Sequence, residues 1–220
     1  MRIAVFGGSF NPFHIGHAML ADTIVKELGY DKVLIVPTFI PPHKIISCNV
    51  TPQQRLEMVK AFCDAEGSGH FEMEPCEVER GGVSYTTDTL KFLKEKYKGR
   101  IDGKFAFVMG EEIATQFHRW RDPDGVIENA DLIITPRYPD WGTIEASAAK
   151  NKPAGEYQKD FNEKFNPDTF GYPCTLLEKP MLPVSSTEIR RRVQEGKSFR
   201  YLVPEVIFEY ILKNRIYLNK

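Results

Sequence analysis

Two histidines, His14 and His17, stand three residues apart in the string Gly7-Gly8-Ser9-Phe10-Asn11-Pro12-Phe13-His14-Ile15-Gly16-His17. On the first turn of a helix, imidazoles at that spacing project to one side. The glycines before them allow close backbone approach, and Asn11-Pro12 fixes a turn. The amides at a helix N-terminus and the helix dipole attract anions. Two imidazoles beside such amides suit a polyphosphate better than a metal ion, which would want a carboxylate or a third histidine near by. The string carries neither the GxGxxG dinucleotide fingerprint nor the GK[ST] of a P-loop.

A second anion-binding pattern lies far along the chain, in Val184-Ser185-Ser186-Thr187-Glu188-Ile189-Arg190. Ser185 and Glu188 have the spacing of a capping box. With Ser185 as N-cap, the amides and hydroxyls of Ser186 and Thr187 stand at the positive end of a helix. Arg190, one turn further in, can fork onto the same phosphates, while Arg191 and Arg192 read as a solvated basic face. Between these strings lies Pro41-Pro42-His43-Lys44, where prolines stiffen a loop and Lys44 can neutralise phosphate as a point charge.

These groups need elements to hold them. Ile3 to Phe6 reads as a buried strand and His17 to Leu28 as a helix ended by Gly29. Lys32 to Val36 reads as a strand, and Thr51-Pro52 opens a helix to about Ala65 with Thr51 as N-cap. Phe71 to Val78, Lys104 to Met109, Asp131 to Thr135 and Cys174 to Leu177 read as strands. Helices are expected over Thr87 to Tyr97, with Thr86 or Thr87 as N-cap, in a short turn from Gly110, after Asp122-Pro123, from Ser185 and over Pro204 to Leu212. Strands alternating with helices of these lengths indicate an α/β fold, a Rossmann-like doubly wound parallel sheet. Ligands of such sheets bind outside the carboxyl ends of the strands, where the glycine loop after the first strand must lie. The expectation is a single domain over 1–220, with an insertion at about 138–172 before the last strand and a helical part at about 185–220. The insertion is polar, rich in Pro, Gly, Lys and Asn, and carries one candidate short helix, Ala154 to Phe165.

The eleven-residue string resembles the HxGH signature of the nucleotidyltransferases, and more narrowly the GG[ST]F[DN]PxHxGH loop of the bacterial nicotinate-mononucleotide adenylyltransferase family. Pro37 to Lys44 resembles that family's PxxxPPHK, Ser84 to Thr89 its SYTxDT, and Val184 to Arg190 its ISSTxIR. Gly110-Glu111-Glu112 followed by Trp120 resembles its GxD and W, with Glu112 where the family usually has Asp, and Pro136-Arg137 its PR. The resemblance spans about 1–137 and 174–215. It implies that ATP is held by Gly8, Ser9, Phe10, His14, His17, Lys44, Gly110, Glu112, Ser186, Thr187 and Arg190. It implies that Tyr85, Thr86, Trp120 and Arg137 hold the acceptor, with Trp120 stacked on a pyridine ring. The implied reaction joins ATP and nicotinate mononucleotide to give deamido-NAD and pyrophosphate. His14 and His17 would steady charge on the α- and β-phosphates, and Lys44 and Arg190 the departing pyrophosphate. Mg²⁺ would be held mainly by substrate phosphates and water, without a protein cage.

Composition narrows the field further. Of 220 residues, 29 are Lys or Arg and 30 are Asp or Glu, for a net charge of −1. That balance argues against a dedicated nucleic-acid or membrane-surface binder, while a local cationic cleft remains compatible with it. Hydrophobic residues make up 42% and charged residues 27%, as in ordinary globular proteins. No apolar stretch approaches a membrane span and no signal peptide is visible, so a cytoplasmic location is expected. Four cysteines without a CxxC pair fit reduced structural thiols. The sequence leaves open a homo-oligomer and the choice of nicotinamide mononucleotide as acceptor. The rivals are a phosphopantetheine-type adenylyltransferase, a nucleotide-sensing module that does not turn over, and a fragment of a class I aminoacyl-tRNA synthetase. The first is disfavoured by SYTTDT and Trp120, the second by the intact phosphate-side positions, the third by the lack of a KMSKS-like string.

Overall fold

In the computed structural model, residues 1–42, 50–136, 165–178 and 182–218 are described. Six parallel strands form one sheet in the order β3-β2-β1-β4-β5-β6. They are β1 (Ile3–Gly8), β2 (Lys32–Pro37), β3 (Phe71–Met73), β4 (Phe105–Gly110), β5 (Ala130–Thr135) and β6 (Cys174–Leu176). The longer helices are α1 (Ile15–Lys26) and α2 (Pro52–Glu66), then α4 (Thr86–Lys96), α6 (Pro123–Asn129), α8 (Ser186–Gln194) and α9 (Glu205–Lys213). Short turns of helix are α3 (Cys76–Arg80), α5 (Glu111–Ala114) and α7 (Pro167–Phe170). The chain moves outward from β1 in one direction and then returns to place β4 on β1's other side. That reversal makes the β1/β4 boundary the switch point, and loops after both strands open into the crevice there.

Side-chain alternation explains why the strands read as unbroken apolar runs. Ala4, Phe6, Val33, Ile35, Ala106 and Val108 face one core, shared with Leu20 and Ile24 of α1, Phe62 of α2, Ile189 of α8 and Ile207 of α9. Ile3, Val5, Leu34, Val36, Phe105, Phe107 and Met109 face a second core, shared with Leu90 and Leu93 of α4 and Val126 of α6. Both faces are covered, so neither can be polar.

Several local expectations change. Phe71 to Val78 is a strand only to Met73; Glu74 then turns inward, Pro75 breaks the extended path, and α3 follows. The helix expected from His17 starts at Ile15, so His14 is its N-cap with φ −138° and not part of its first turn. The N-cap of α4 is Tyr85, not Thr86 or Thr87, because the Thr87 hydroxyl is spent on Asp122 Oδ2 at 2.9 Å. Thr51 caps α2 as expected, accepting from the Gln54 amide at 3.1 Å. The expected helix Ala154 to Phe165 lies outside the described residues except for Phe165, which is not helical.

Candidate functional site

The glycine loop leaves β1 at Gly8 and reaches α1 through a cis Asn11-Pro12 bond. Its course is set by close packing. A Cβ on Gly8 would stand 2.9 Å from the Phe10 ring. One on Gly16 would stand 3.1 Å from Val184 Cγ1 and 3.2 Å from the His14 ring. Contacts that short force neighbours to move, so the glycine between the two histidines is needed for the His14 ring to lie where it does.

His14 and His17 lie face to face, with ring centroids 3.6 Å apart and planes 17° apart. The His14 amide donates to His17 Nδ1 at 3.1 Å. An amide can only donate, so Nδ1 is the acceptor and the proton of the neutral ring is carried on Nε2. The rings of Phe10 and Phe13 stand 5.1 and 5.2 Å from the His17 ring and fix its orientation. The Phe10 side chain is buried, its residue sits at φ 44°, and its ring walls in His17.

The second string meets this loop. Ser186 Oγ donates to the Pro12 carbonyl at 2.9 Å, and Arg190 Nη1 to the Asn11 carbonyl at 2.8 Å. Arg190 Nη2 also approaches Thr187 Oγ1 at 3.2 Å. The N-termini of α1 and α8 are thus brought together although about 170 residues separate them in sequence, as Ser186 to Pro12 spans 174. Ser185 caps α8 by accepting from the Glu188 amide at 3.2 Å. The other half of the expected capping box is replaced: the Glu188 carboxylate pairs with Arg191 at 2.9 Å and Arg192 at 2.8 Å. Those two arginines are therefore not merely solvated; the pairing leaves Arg190 as the basic side chain of α8 directed to the glycine loop.

Three further residues support the site across the fold. Arg55 of α2 is buried and donates to the Ser9 carbonyl at 2.8 Å and the Phe39 carbonyl at 3.3 Å, joining the loops after β1 and β2. Tyr217 Oη donates to Asn11 Oδ1 at 2.6 Å. Arg121 stands 4.5 Å over the Tyr85 ring and 3.4 Å from Asp88. An arginine at a helical core position with good helix propensity carries no sequence signal for such a role; the neighbour of a matched tryptophan does.

On the other side of the crevice, Trp120 is half-buried against Phe117, with centroids 5.1 Å apart, and edge-on to Phe107 at 5.9 Å. Arg121, the next residue, lies over Tyr85 at the start of α4 and reaches Asp88. Thr87 and Lys91 of α4 both reach Asp122, the N-cap of α6. The Thr87 hydroxyl and the Gly125 amide hold the Asp122 carboxyl below the usual range. Gly110 ends β4 beside β1, and the Glu112 side chain folds back against it, so that a Cβ on Gly110 would collide with its carboxylate. Lys44 and Arg137 lie outside the described residues. Among the described residues no group of three His, Cys, Asp or Glu side chains could hold a metal ion. The donors at the crevice are imidazole, hydroxyl, guanidinium and amide, a set suited to an anion.

The family model for cytidylyltransferase-like proteins matches residues 5–192. A Treponema pallidum protein named "probable nicotinate-nucleotide adenylyltransferase" is 34% identical over 99% of both chains. The chain belongs to the nicotinate-nucleotide adenylyltransferase family. It is a nucleotidyltransferase of that family along its whole length: a Borrelia garinii member of the same name is 33% identical over 100% of this chain and 96% of its own. A Plasmodium falciparum nicotinic acid mononucleotide adenylyltransferase, solved with NaAD, shares the family fold at a TM-score of 0.68 and 18% identity, covering 98% of this chain and 97% of that one.

Proposed function

We propose that this chain joins ATP and nicotinate mononucleotide, giving deamido-NAD and pyrophosphate in NAD biosynthesis. Family membership supports the reaction class. The observation that carries the reading is the meeting of the stacked His14–His17 pair with Ser186 and Arg190 at the switch point.

The acceptor's 5′-phosphate is already ionised near neutral pH, so the chain needs no nucleophile of its own and no general base. An acceptor phosphate oxygen bonds to the α-phosphorus of ATP while the bond to the β-phosphate oxygen breaks. Catalysis then rests on alignment and on charge neutralisation. His17, with its Nδ1 engaged by the His14 amide, offers Nε2–H to the phosphates. Arg190 and the Ser186 and Thr187 groups at the N-terminus of α8 receive the β- and γ-phosphates, together with Lys44. Gly8, Ser9 and Gly110 give backbone access to the nucleotide, and the Glu112 carboxylate is assigned to a ribose hydroxyl. Tyr85, Thr86, Trp120 and Arg137 are assigned to the acceptor. Mg²⁺ would enter on the triphosphate, held by its oxygens and water and supplying further charge neutralisation.

No described helix is long and apolar enough to cross a membrane. The cytoplasm is the proposed site of action, where the thiols of Cys63, Cys76 and Cys174 stay reduced.

The test is incubation of the purified chain with ATP, Mg²⁺ and either nicotinate or nicotinamide mononucleotide. The expected outcome is pyrophosphate release matched by deamido-NAD, with nicotinate preferred. Nucleotide binding without pyrophosphate would instead mark a sensing module, and faster turnover of the amide would reassign the acceptor.

A further inference from the structure

Glu77 of α3 is a buried acid that the reaction does not use. Burial is the largest influence on its carboxyl and raises its pKa; the Thr89, Ser84 and Thr38 hydroxyls and the Arg80 charge pull the other way. Thr89 Oγ1 lies 2.7 Å from Glu77 Oε1 and 3.3 Å from the Tyr85 carbonyl. A hydroxyl has one proton, and the shorter contact takes it. Arg80 Nη2 donates to that same hydroxyl oxygen at 3.1 Å, completing it. The second oxygen, Oε2, is sealed from solvent and has no hydrogen bond of ordinary geometry among the described residues. A stable core does not favour a carboxyl placed this way.

Its neighbours belong to a junction between the two halves of the site. The Thr38 amide donates to the Gly8 carbonyl at 2.9 Å, extending the β1–β2 pairing into the glycine loop. The Phe39 amide donates to Ser84 Oγ at 3.2 Å, and the Ser84 amide to the Ile40 carbonyl at 2.9 Å. Ile40 and Val83 form a parallel bridge. Tyr85 and Thr86 follow directly. Glu77 therefore touches α4 from inside the fold through Thr89 and faces Ser84 and Thr38 at the foot of the junction.

We propose that Glu77 is a positioning residue for the acceptor: by holding Thr89 and facing Ser84 and Thr38, it sets where Tyr85 and Thr86 stand relative to the glycine loop. The inference rests on the acceptor reading above. The Thr38–Gly8 link is backbone to backbone and continues the strand register, so it survives loss of the Glu77 side chain. The Thr89 contact at the first turns of α4 does not, while the bonds of Thr87 and Lys91 to Asp122 keep the helix in place. Removal of Glu77 thus loosens the acceptor side selectively.

The test compares wild type, Glu77→Ala, Glu77→Gln and Thr89→Val in steady-state kinetics and in calorimetric binding of ATP and of nicotinate mononucleotide. Glu77→Ala is expected to weaken acceptor binding about tenfold, the loss of one buried hydrogen-bonded contact, with ATP binding changed by less than about twofold. Glu77→Gln, which keeps one oxygen for Thr89, is expected to restore most of that affinity. Thr89→Val removes only the hydroxyl and is expected to shift acceptor affinity in the same direction, which keeps the test open if Glu77→Ala does not fold. Equal loss of ATP and acceptor affinity in the variants, or unchanged acceptor affinity, overturns the inference alone. A wild-type chain that binds no nicotinate mononucleotide overturns the acceptor reading and the inference with it.

Discussion

The two rims of the crevice are built differently. On the phosphate side, three distant side chains bond to the backbone of the glycine loop: Arg190 to the Asn11 carbonyl, Ser186 to Pro12, Arg55 to Ser9. On the acceptor side, α4 and α6 are stitched through side chains: Thr87 and Lys91 to Asp122, Arg121 to Asp88 and over Tyr85. The Arg121 and Asp88 side chains are 58% and 40% exposed, so that pair is screened by solvent and salt. This anchoring, with the close packing around Gly8 and Gly16, holds the loop in one course, as preorganised charge stabilisation requires. Side-chain stitching leaves the acceptor rim adjustable, which suits a group that must choose between related bases.

The largest break in this comparison should come at the phosphate rim. His17→Ala is expected to lower kcat about 10²–10³-fold, the loss of one preorganised contact worth roughly 2.7–4 kcal/mol, with an unchanged circular-dichroism spectrum. Gly16→Ala places a Cβ against Val184 and the His14 ring. It should cost roughly 1–3 kcal/mol in chemical denaturation, and kcat should fall about tenfold as the imidazole stack shifts.

The acceptor rim should respond in KM. Trp120→Ala is expected to raise the acceptor KM about tenfold, since an aromatic contact of this size is worth about 1 kcal/mol or more, while the ATP KM moves little. Glu77→Gln sharpens the contrast through pH. The folded carboxyl has a pKa raised above the ordinary 4.5, so between those two values the folded chain holds more protons than the unfolded one. Wild-type stability therefore falls as pH rises through that window, and the glutamine variant lacks this loss. The Tm difference, variant minus wild type, should grow as pH rises above 4.5, read in thermal scans at stepped pH. The smallest effect is expected for Arg121→Ala: an acceptor KM raised about two- to threefold at low salt and indistinguishable from wild type at high salt.

Much of this arrangement is legible in the residues because the relevant signals are local. Alternating apolar runs and helical spacing give the parallel sheet, and Ser185 and Thr51 mark helix starts by their own hydroxyls. Ser186 and Arg190 are grouped by their spacing because both stand on one helix turn, and both reach the glycine loop. What pairs across the fold is not legible. The Arg55 bonds to Ser9 and Phe39, and the Tyr217 bond to Asn11, join segments 46, 16 and 206 residues apart. Periodicity places Arg55 only as a helical residue. The Phe71 to Val78 run misleads because its apolar residues continue past Pro75 into the short helix α3. Thr87 misleads as a cap because a competing partner, Asp122, arrives from another element.

The central claim is that the phosphate rim governs turnover and the acceptor rim governs acceptor affinity. The most direct measurement is kcat and acceptor KM for His17→Ala and Trp120→Ala in parallel, with ATP and Mg²⁺ saturating. The account predicts that His17→Ala loses kcat with acceptor KM nearly unchanged, and that Trp120→Ala does the reverse. Near-normal kcat in His17→Ala, or a kcat loss in Trp120→Ala with unchanged acceptor KM, would contradict it.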